Sequence, residues 1–208
     1  GRAAAAAVGR AVVSAPVTFS LDLEDHRPDD AAELRYPEVT RRVLDLLDER
    51  NVTGTFFVVG EVAEAQPALV REVAARGHEV GLHAYRHVPL TEVEPATFRE
   101  ETARGKAVLE DLAGAEVVGF RAPTYSLVPA SRWAVDELAS LGFAYSSSVL
   151  PAPNPLFGFP GAPEVPFRWP NGLAELPAPV AGVGPFRVPL LGGTYLRLLP
   201  WPVVEAAC

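Results

Sequence analysis

Three groups of side chains carry chemistry at spacings that packing alone does not require. In Ser-Leu-Asp-Leu-Glu-Asp, residues 20–25, Asp22 and Glu24 stand two apart and share one face of an extended strand. Asp25 can join them if the strand ends and turns there. In His83-Ala84-Tyr85-Arg86-His87, two imidazoles four apart fall on one side of a helical turn, where they can grip a divalent ion. In Arg121-Ala122-Pro123-Thr124-Tyr125, the guanidinium can hold a carboxylate in a bidentate pair, and Pro123 stiffens a turn that exposes backbone N–H groups beyond it. Each group alone also has a plain explanation: a solvated strand end, a packed histidine pair, a structural salt bridge. Together, two His and one carboxylate leave coordination positions open for water and substrate. A zinc-type ion held there acidifies its water toward neutrality and polarises a carbonyl. The chain has no Gly-rich phosphate loop, no Gly-x-Ser-x-Gly and no Cys-x-x-Cys, which leaves metal-assisted hydrolysis as the enzymatic option.

These groups need a scaffold that brings distant segments to one rim, and the hydrophobic pattern supplies one. A β-prone run covers 17–25 and is followed by a helix over Tyr36–Arg50, whose Val39, Val43, Leu46 and Leu47 form one apolar face. Thr55–Gly60 reads as a buried strand and Gln66–Arg76 as a short helix closed by Gly77. His78–His83 is a third strand, and a helix over Phe98–Leu112 carries Phe98, Val108, Leu109 and Leu112. Strand 117–120, helix Ser131–Leu141 and strand 143–147 follow. Such β/α alternation predicts a mainly parallel sheet covered by helices, curling toward a barrel or doubly wound, with its site at the strand C-terminal ends. The acids, the histidines, Arg121 and a hydroxyl-rich Tyr145-Ser146-Ser147-Ser148 all fall at such ends.

Composition narrows the function classes. The 208 residues contain 18 Lys and Arg against 26 Asp and Glu, a net charge of −8 that argues against a phosphate-backbone binder. At 49% hydrophobic the chain can bury a core, yet no apolar stretch is long enough to span a bilayer. A single cysteine, Cys208, allows no internal disulfide, which suits the cytoplasm, the favoured compartment, without excluding export. Charge falls away after residue 150: residues 151–208 hold six of the 44 charged residues and 13 of the 21 prolines. The expected organisation is an N-terminal stub over 1–16 and one domain over 17–208 that continues past the last residue given.

The ordered motifs SLDLED (20–25), TGTFFVVG (53–60), GHEVGLHAYRH (77–87), GFRAPTYSL (119–127), GFAYSSSV (142–149) and GGTYLRLLP (192–200) resemble the NodB-type polysaccharide deacetylases. The likeness is to their exopolysaccharide and exosortase-associated branch, which is similar to the allantoinase-like deacetylases. The resemblance implies a distorted (β/α) barrel of about seven strands, a divalent metal, most often zinc, and hydrolysis of acetyl groups from an acetylated polysaccharide or oligosaccharide. It implies His83 and His87 as metal ligands, with Asp25 as the carboxylate ligand and Asp22 or Glu24 as general base. The family's Arg-x-Pro motif maps onto Arg121 and Pro123, with Arg121 orienting the base and a backbone N–H near Tyr125 contributing to the oxyanion hole; Pro123, Tyr125 and Tyr85 are the implied substrate-binding residues. Tyr85 and Tyr125, with Phe157 and Trp169, are candidates to stack on sugar rings. Two departures stand out: close relatives often have Asp at the position of Ser146, and the family's late-strand histidine acid has no counterpart here. An amidohydrolase of a small cyclic amide and a non-catalytic carbohydrate-binding relative are the alternative functions.

Overall fold

A computed structural model describes residues 18–27, 32–154, 156–183 and 186–189. The strand β1 (Ser20–Leu23) buries Leu23 and is followed by the helix α1 (Tyr36–Arg50). Next come β2 (Thr55–Val58), α2 (Gly60–Ala65), α3 (Pro67–Ala75) and β3 (Glu79–Leu82). The long helix α4 (Pro95–Ala113) leads to β4 (Gly119–Phe120), and α5 (Ala134–Ser140) leads to β5 (Tyr145–Ser146). Four short strands complete the order: β6 (Phe167–Arg168), β7 (Ala174–Glu175), β8 (Val180–Val183) and β9 (Phe186–Pro189).

Seven strands form one α/β sheet in the order β1-β2-β3-β4-β5-β7-β6, parallel throughout except for the antiparallel β6–β7 pair; β8 and β9 make a separate antiparallel pair. The strand number is the expected one, and among the described residues the sheet stays open. The register sets Leu23, Val58, Leu82 and Phe120 in one row across four strands. All four point to the helical side, where they join Leu44, Leu47, Val70, Val73, Leu109 and Leu138 in one buried cluster. Each such side chain contributes about 1.5–3 kcal/mol by leaving water. The sequence-alternate residues Asp22, Phe57, Gly81, Gly119 and Tyr145 therefore line the other face, and that face carries the polar groups.

Helix α1 has the expected bounds but buries a different face. Thr40, Leu44 and Leu47 point inward, whereas Val39 is 45% and Leu46 50% exposed. Four apolar residues spanning both sides of a helix left the choice of face to the sheet. The segment after β2 holds an unexpected helix, α2, because the Gly60 N–H bonds the Ala84 carbonyl and the Glu61 N–H that of Tyr85. Tertiary partners satisfy helix-end donors that no local cap serves. Gly77 and Gly142 take φ of +82° and +80° just past α3 and α5, the left-handed stop that glycine adopts without strain. The N-terminal stub over 1–16 and the GGTYLRLLP motif at 192–200 lie outside the described residues. No described helix is long and apolar enough to cross a membrane.

Candidate metal centre

The face opposite the helical core gathers its functional groups at the C-terminal ends of β1, β3 and β4. Strand alternation puts Asp22 and Glu24 on this face and turns Leu23, 1% exposed, into the core. At the end of β3 the chain makes a tight bend, with Ala84 at φ +58°, that the two α2 hydrogen bonds hold in place. The expected helical turn is thus replaced by a left-handed bend. It brings the His83 and His87 rings to 5.0 Å between centroids.

One oxygen is the focus of the site. Glu24 Oε2 lies 3.5 Å from His83 Nε2 and 2.5 Å from His87 Nε2. It is buried, and the two imidazoles are the groups that face it. Glu24, His83 and His87 together offer one ligand atom each within 4.8 Å of one another. The tautomer of His83 sharpens the point. Its Nδ1 is 2.9 Å from the Arg121 carbonyl, which can only accept, so Nδ1 carries a proton, and in the neutral ring Nε2 presents its lone pair to Glu24. A carboxylate oxygen facing an imidazole lone pair is stable when a cation lies between them. Burial by itself raises the Glu24 pKa, yet the two imidazoles outweigh it and hold the carboxyl well below the usual range. Two imidazoles and one carboxylate that turns a buried oxygen toward them fit a divalent ion of the zinc class.

Asp22 occupies a different environment. Arg121 Nη1 donates to Asp22 Oδ1 at 2.7 Å, while Asp22 Oδ2 stays 3.9 Å from His83 Nε2. The guanidinium is itself fixed: Nη2 donates to Ser20 Oγ at 3.0 Å and Ser147 Oγ at 3.1 Å, and Nε to the Ser147 carbonyl at 3.2 Å. It lies 4.1 Å over the Phe57 ring. That ring fits because residue 81 is glycine; a Cβ there would come within 2.7 Å of Phe57 Cδ1. Burial works against the charge on Arg121, but the Asp22 carboxylate more than offsets it and raises the pKa. Arg121 thus holds one Asp22 oxygen and leaves the other beside the histidine cluster.

Geometry divides the acids differently from the sequence expectation. Asp25 follows Glu24 and so turns away; Arg27 binds it through Nε and Nη2 at 2.9 and 2.8 Å to Oδ2, and this lowers its pKa. Glu24, expected as a base, is the carboxylate that joins the histidines. Tyr85 is also placed otherwise: its ring packs on Gly60 on one side and under the Arg104 guanidinium, 4.3 Å from the ring centroid, and its hydroxyl donates to Glu64. Both faces are covered, which leaves none for a sugar. Trp169 is likewise occupied, with Phe167 at 5.1 Å and Phe159 at 6.0 Å.

Pro123 is buried and starts the turn after β4, in which Thr124 and Tyr125 take φ of +54° and +55°. The Tyr125 N–H donates to the Ala122 carbonyl at 3.2 Å, so that donor is already engaged. The Tyr125 ring is half-buried, and the Arg121 guanidinium lies 5.6 Å from its centroid. Sequence reasoning missed His26, whose Nε2 is 2.6 Å from Glu24 Oε1 and whose ring is edge-on to His87 at 5.7 Å. Its place two residues from Glu24 was the available signal.

Comparison with known proteins adds to this geometry. Residues 28–146 match the family model "Polysaccharide deacetylase", and residues 147–208 match "Domain of unknown function (DUF3473)". The first match includes His83, His87 and Arg121 but begins after Asp22 and Glu24. Over 110 residues, 52% of this chain and 39% of the relative, the chain is 34% identical to a peptidoglycan-N-acetylglucosamine deacetylase of Bacillus cereus. Over 104 residues, 50% of this chain and 45% of the relative, it is 33% identical to a chitooligosaccharide deacetylase of Bradyrhizobium sp.. Each match spans less than half the relative's length. A solved Mycobacterium smegmatis structure assigned to the polysaccharide deacetylases superposes with a TM-score of 0.62 at 30% identity, covering 79% of this chain and 58% of that one.

Proposed function

The chain belongs to the polysaccharide deacetylase family, and from that premise we propose that it hydrolyses acetyl groups from a glycan. We assign Glu24, His83 and His87 as ligands of a divalent metal, zinc in the first instance, and Asp22 as general base. One observation carries the reading: two imidazole nitrogens, those of His83 and His87, converge on the single buried oxygen Glu24 Oε2. The two curated relatives are named for acetylated amino-sugar polymers, which supports an N-acetylated glycan as the substrate class.

When bound, the ion supplies a Lewis acid for the acetyl carbonyl and lowers the pKa of water. The residues of the chain do the rest. His83 is held in its ligating tautomer by the Arg121 carbonyl. Arg121 pins Asp22 Oδ1, so Asp22 accepts a water proton at Oδ2, on the side of the ligand cluster. The water oxygen bonds to the acetyl carbon as the C–N or C–O bond to the sugar breaks; the proton taken by Asp22 passes to the sugar amine or hydroxyl, and the acetic acid released ionises to acetate. The Arg121, Ala122 and Tyr125 N–H groups are bonded to Leu82, Ser148 and Ala122, and Pro123 has none, so within the 121–125 turn oxyanion stabilisation would fall to the Thr124 N–H, beside the ion when bound.

Elemental analysis of the purified chain tests the assignment, beside His83→Ala and His87→Ala variants and with acetate release from N-acetylglucosamine oligomers. Stoichiometric zinc and acetate release, both lost in each variant, are expected. A zinc-loaded His87→Ala protein with undiminished activity would remove His87 from the site.

A further inference from the structure

Outside the ligand cluster, the described residues contain one carboxyl group that is wholly buried, and it sits at the end of a chain of bonds leading back to the site. Glu175, on β7, is 0% exposed. Its Oε1 accepts the Ser148 N–H at 2.7 Å and the Val149 N–H at 3.0 Å, and its Oε2 faces Trp169 Nε1 at 3.4 Å. Two backbone donors on one carboxyl oxygen fix the segment that leaves β5. That segment holds the arginine strand from two sides. Ser148 Oγ accepts the Ala122 N–H at 2.8 Å, and Ser147 takes Arg121 Nε on its carbonyl and Nη2 on its hydroxyl. Arg121 in turn presents its guanidinium to Asp22 and its carbonyl to His83 Nδ1.

We propose that Glu175 is a positioning residue of this site: through Ser147 and Ser148 it fixes Arg121, and through Arg121 both the base Asp22 and the tautomer of His83. The inference rests on the deacetylase reading for the base, and on geometry alone for His83. It also gives part of the 147–208 segment, matched to a domain of unknown function, a role in a site whose histidines and arginine lie within the preceding family match. Loss of Glu175 leaves two buried N–H groups unpaired, and the segment must move to find other partners. Outer-shell changes of this kind cost about 10–100-fold in metal affinity or activity.

The test compares Glu175→Ala, Glu175→Gln and Ser148→Ala for zinc affinity, by competition with a chromophoric chelator, and for kcat and KM on N-acetylglucosamine oligomers. Folding is checked by circular dichroism and thermal melting. Glu175→Ala is expected to weaken zinc binding about tenfold and lower kcat about 10–100-fold per folded molecule, with KM within about twofold. Glu175→Gln keeps an acceptor for both N–H groups and should restore both quantities to within about threefold. Ser148→Ala removes the hydroxyl that accepts the Ala122 N–H and leaves the Ser147 bonds to Arg121 in place, so it should follow Glu175→Ala in direction with a smaller loss; if Glu175→Ala does not fold, the Ser147→Ala, Ser148→Ala double variant, which also removes a hydroxyl from Arg121, decides the matter. Folded Glu175→Ala protein, or the folded double variant, with wild-type zinc affinity and kcat overturns the proposal. So does a loss in Glu175→Ala and Glu175→Gln that merely tracks the folded fraction. If the wild type releases no acetate, the deacetylase reading fails while the zinc comparison still decides whether Glu175 acts on His83.

Discussion

Replacing Glu24 and Asp25 separately discriminates between two adjacent acids that the sequence does not distinguish. The Glu24 side chain is 19% exposed and faces two imidazoles. Removing one partner from a buried charged pair costs about 3–5 kcal/mol, and the residual exposure argues for the low end. About 3 kcal/mol is about a 100-fold loss of zinc affinity. Asp25, with 27% of its side chain exposed, is paired with Arg27 rather than with the cluster. An ion pair of this exposed kind contributes about 0–1 kcal/mol to stability and nothing directly to the metal. Glu24→Gln and Asp25→Asn conserve shape, so the comparison isolates charge. The assay is zinc competition against a chromophoric chelator at fixed pH, on variants shown to be folded by circular dichroism. We expect Glu24→Gln to weaken zinc about 100-fold and Asp25→Asn to stay within about fivefold. Asp25→Asn losing zinc as severely as Glu24→Gln would refute the argument, because Asp25 would then have to leave Arg27 and reach the histidines.

Asp22→Asn should retain zinc and lose about 10²–10⁴-fold in kcat, since it removes the proton acceptor but no ligand; equal loss of metal would make Asp22 a ligand instead. Gly81→Ala should destabilise by about 1–3 kcal/mol in urea unfolding, because the added Cβ meets the Phe57 ring at 2.7 Å. Tyr85→Phe should leave KM for glycan within about twofold, since the ring is covered by Gly60 and Arg104; a large rise in KM would restore it as a sugar contact. Burial raises the Glu175 pKa above its ordinary 4.5 despite the two backbone N–H bonds. Folded chains then hold a proton that unfolded chains have released, so the Glu175 contribution to stability is full below pH 4.5 and declines as pH rises through the folded value. The stability difference between wild type and Glu175→Gln, measured across that window, should show this slope; a flat difference would remove it.

What the sequence made legible follows from which interactions are local. The β/α alternation appears because buried parallel strands are continuous apolar runs and their covering helices are amphipathic, so Thr55–Val58 and Tyr36–Arg50 stand out in composition alone. The histidine pair and Arg121 are visible because their residue types are unusual at strand ends. Helix α2 was not visible, because the groups that serve its first N–H donors lie more than twenty residues away at Ala84 and Tyr85. The same holds for Glu175, whose partners Ser148 and Val149 are 27 and 26 residues distant. Tyr85 looked like a sugar platform because an aromatic beside two histidines suggests a ligand, and only the packing of Gly60 and Arg104 shows the ring to be occupied.

The separation of two carboxylate roles within one strand end can be derived from the period of two. Asp22 and Glu24 emerge on the same face one strand step apart, because Leu23 between them is claimed by the core. The neighbouring strands bring different partners to those two levels. Arg121 meets Asp22, and the left-handed bend after β3 delivers both imidazoles to Glu24. The guanidinium holds one Asp22 oxygen and leaves the other beside the histidines, whereas both imidazole nitrogens converge on a single buried oxygen of Glu24, the arrangement that the proposed roles of base and ligand rest on. Shifting the β1 register by one residue would send Leu23 into the polar face and both acids into the core. The burial of Leu23 therefore specifies the site as firmly as any of its polar groups.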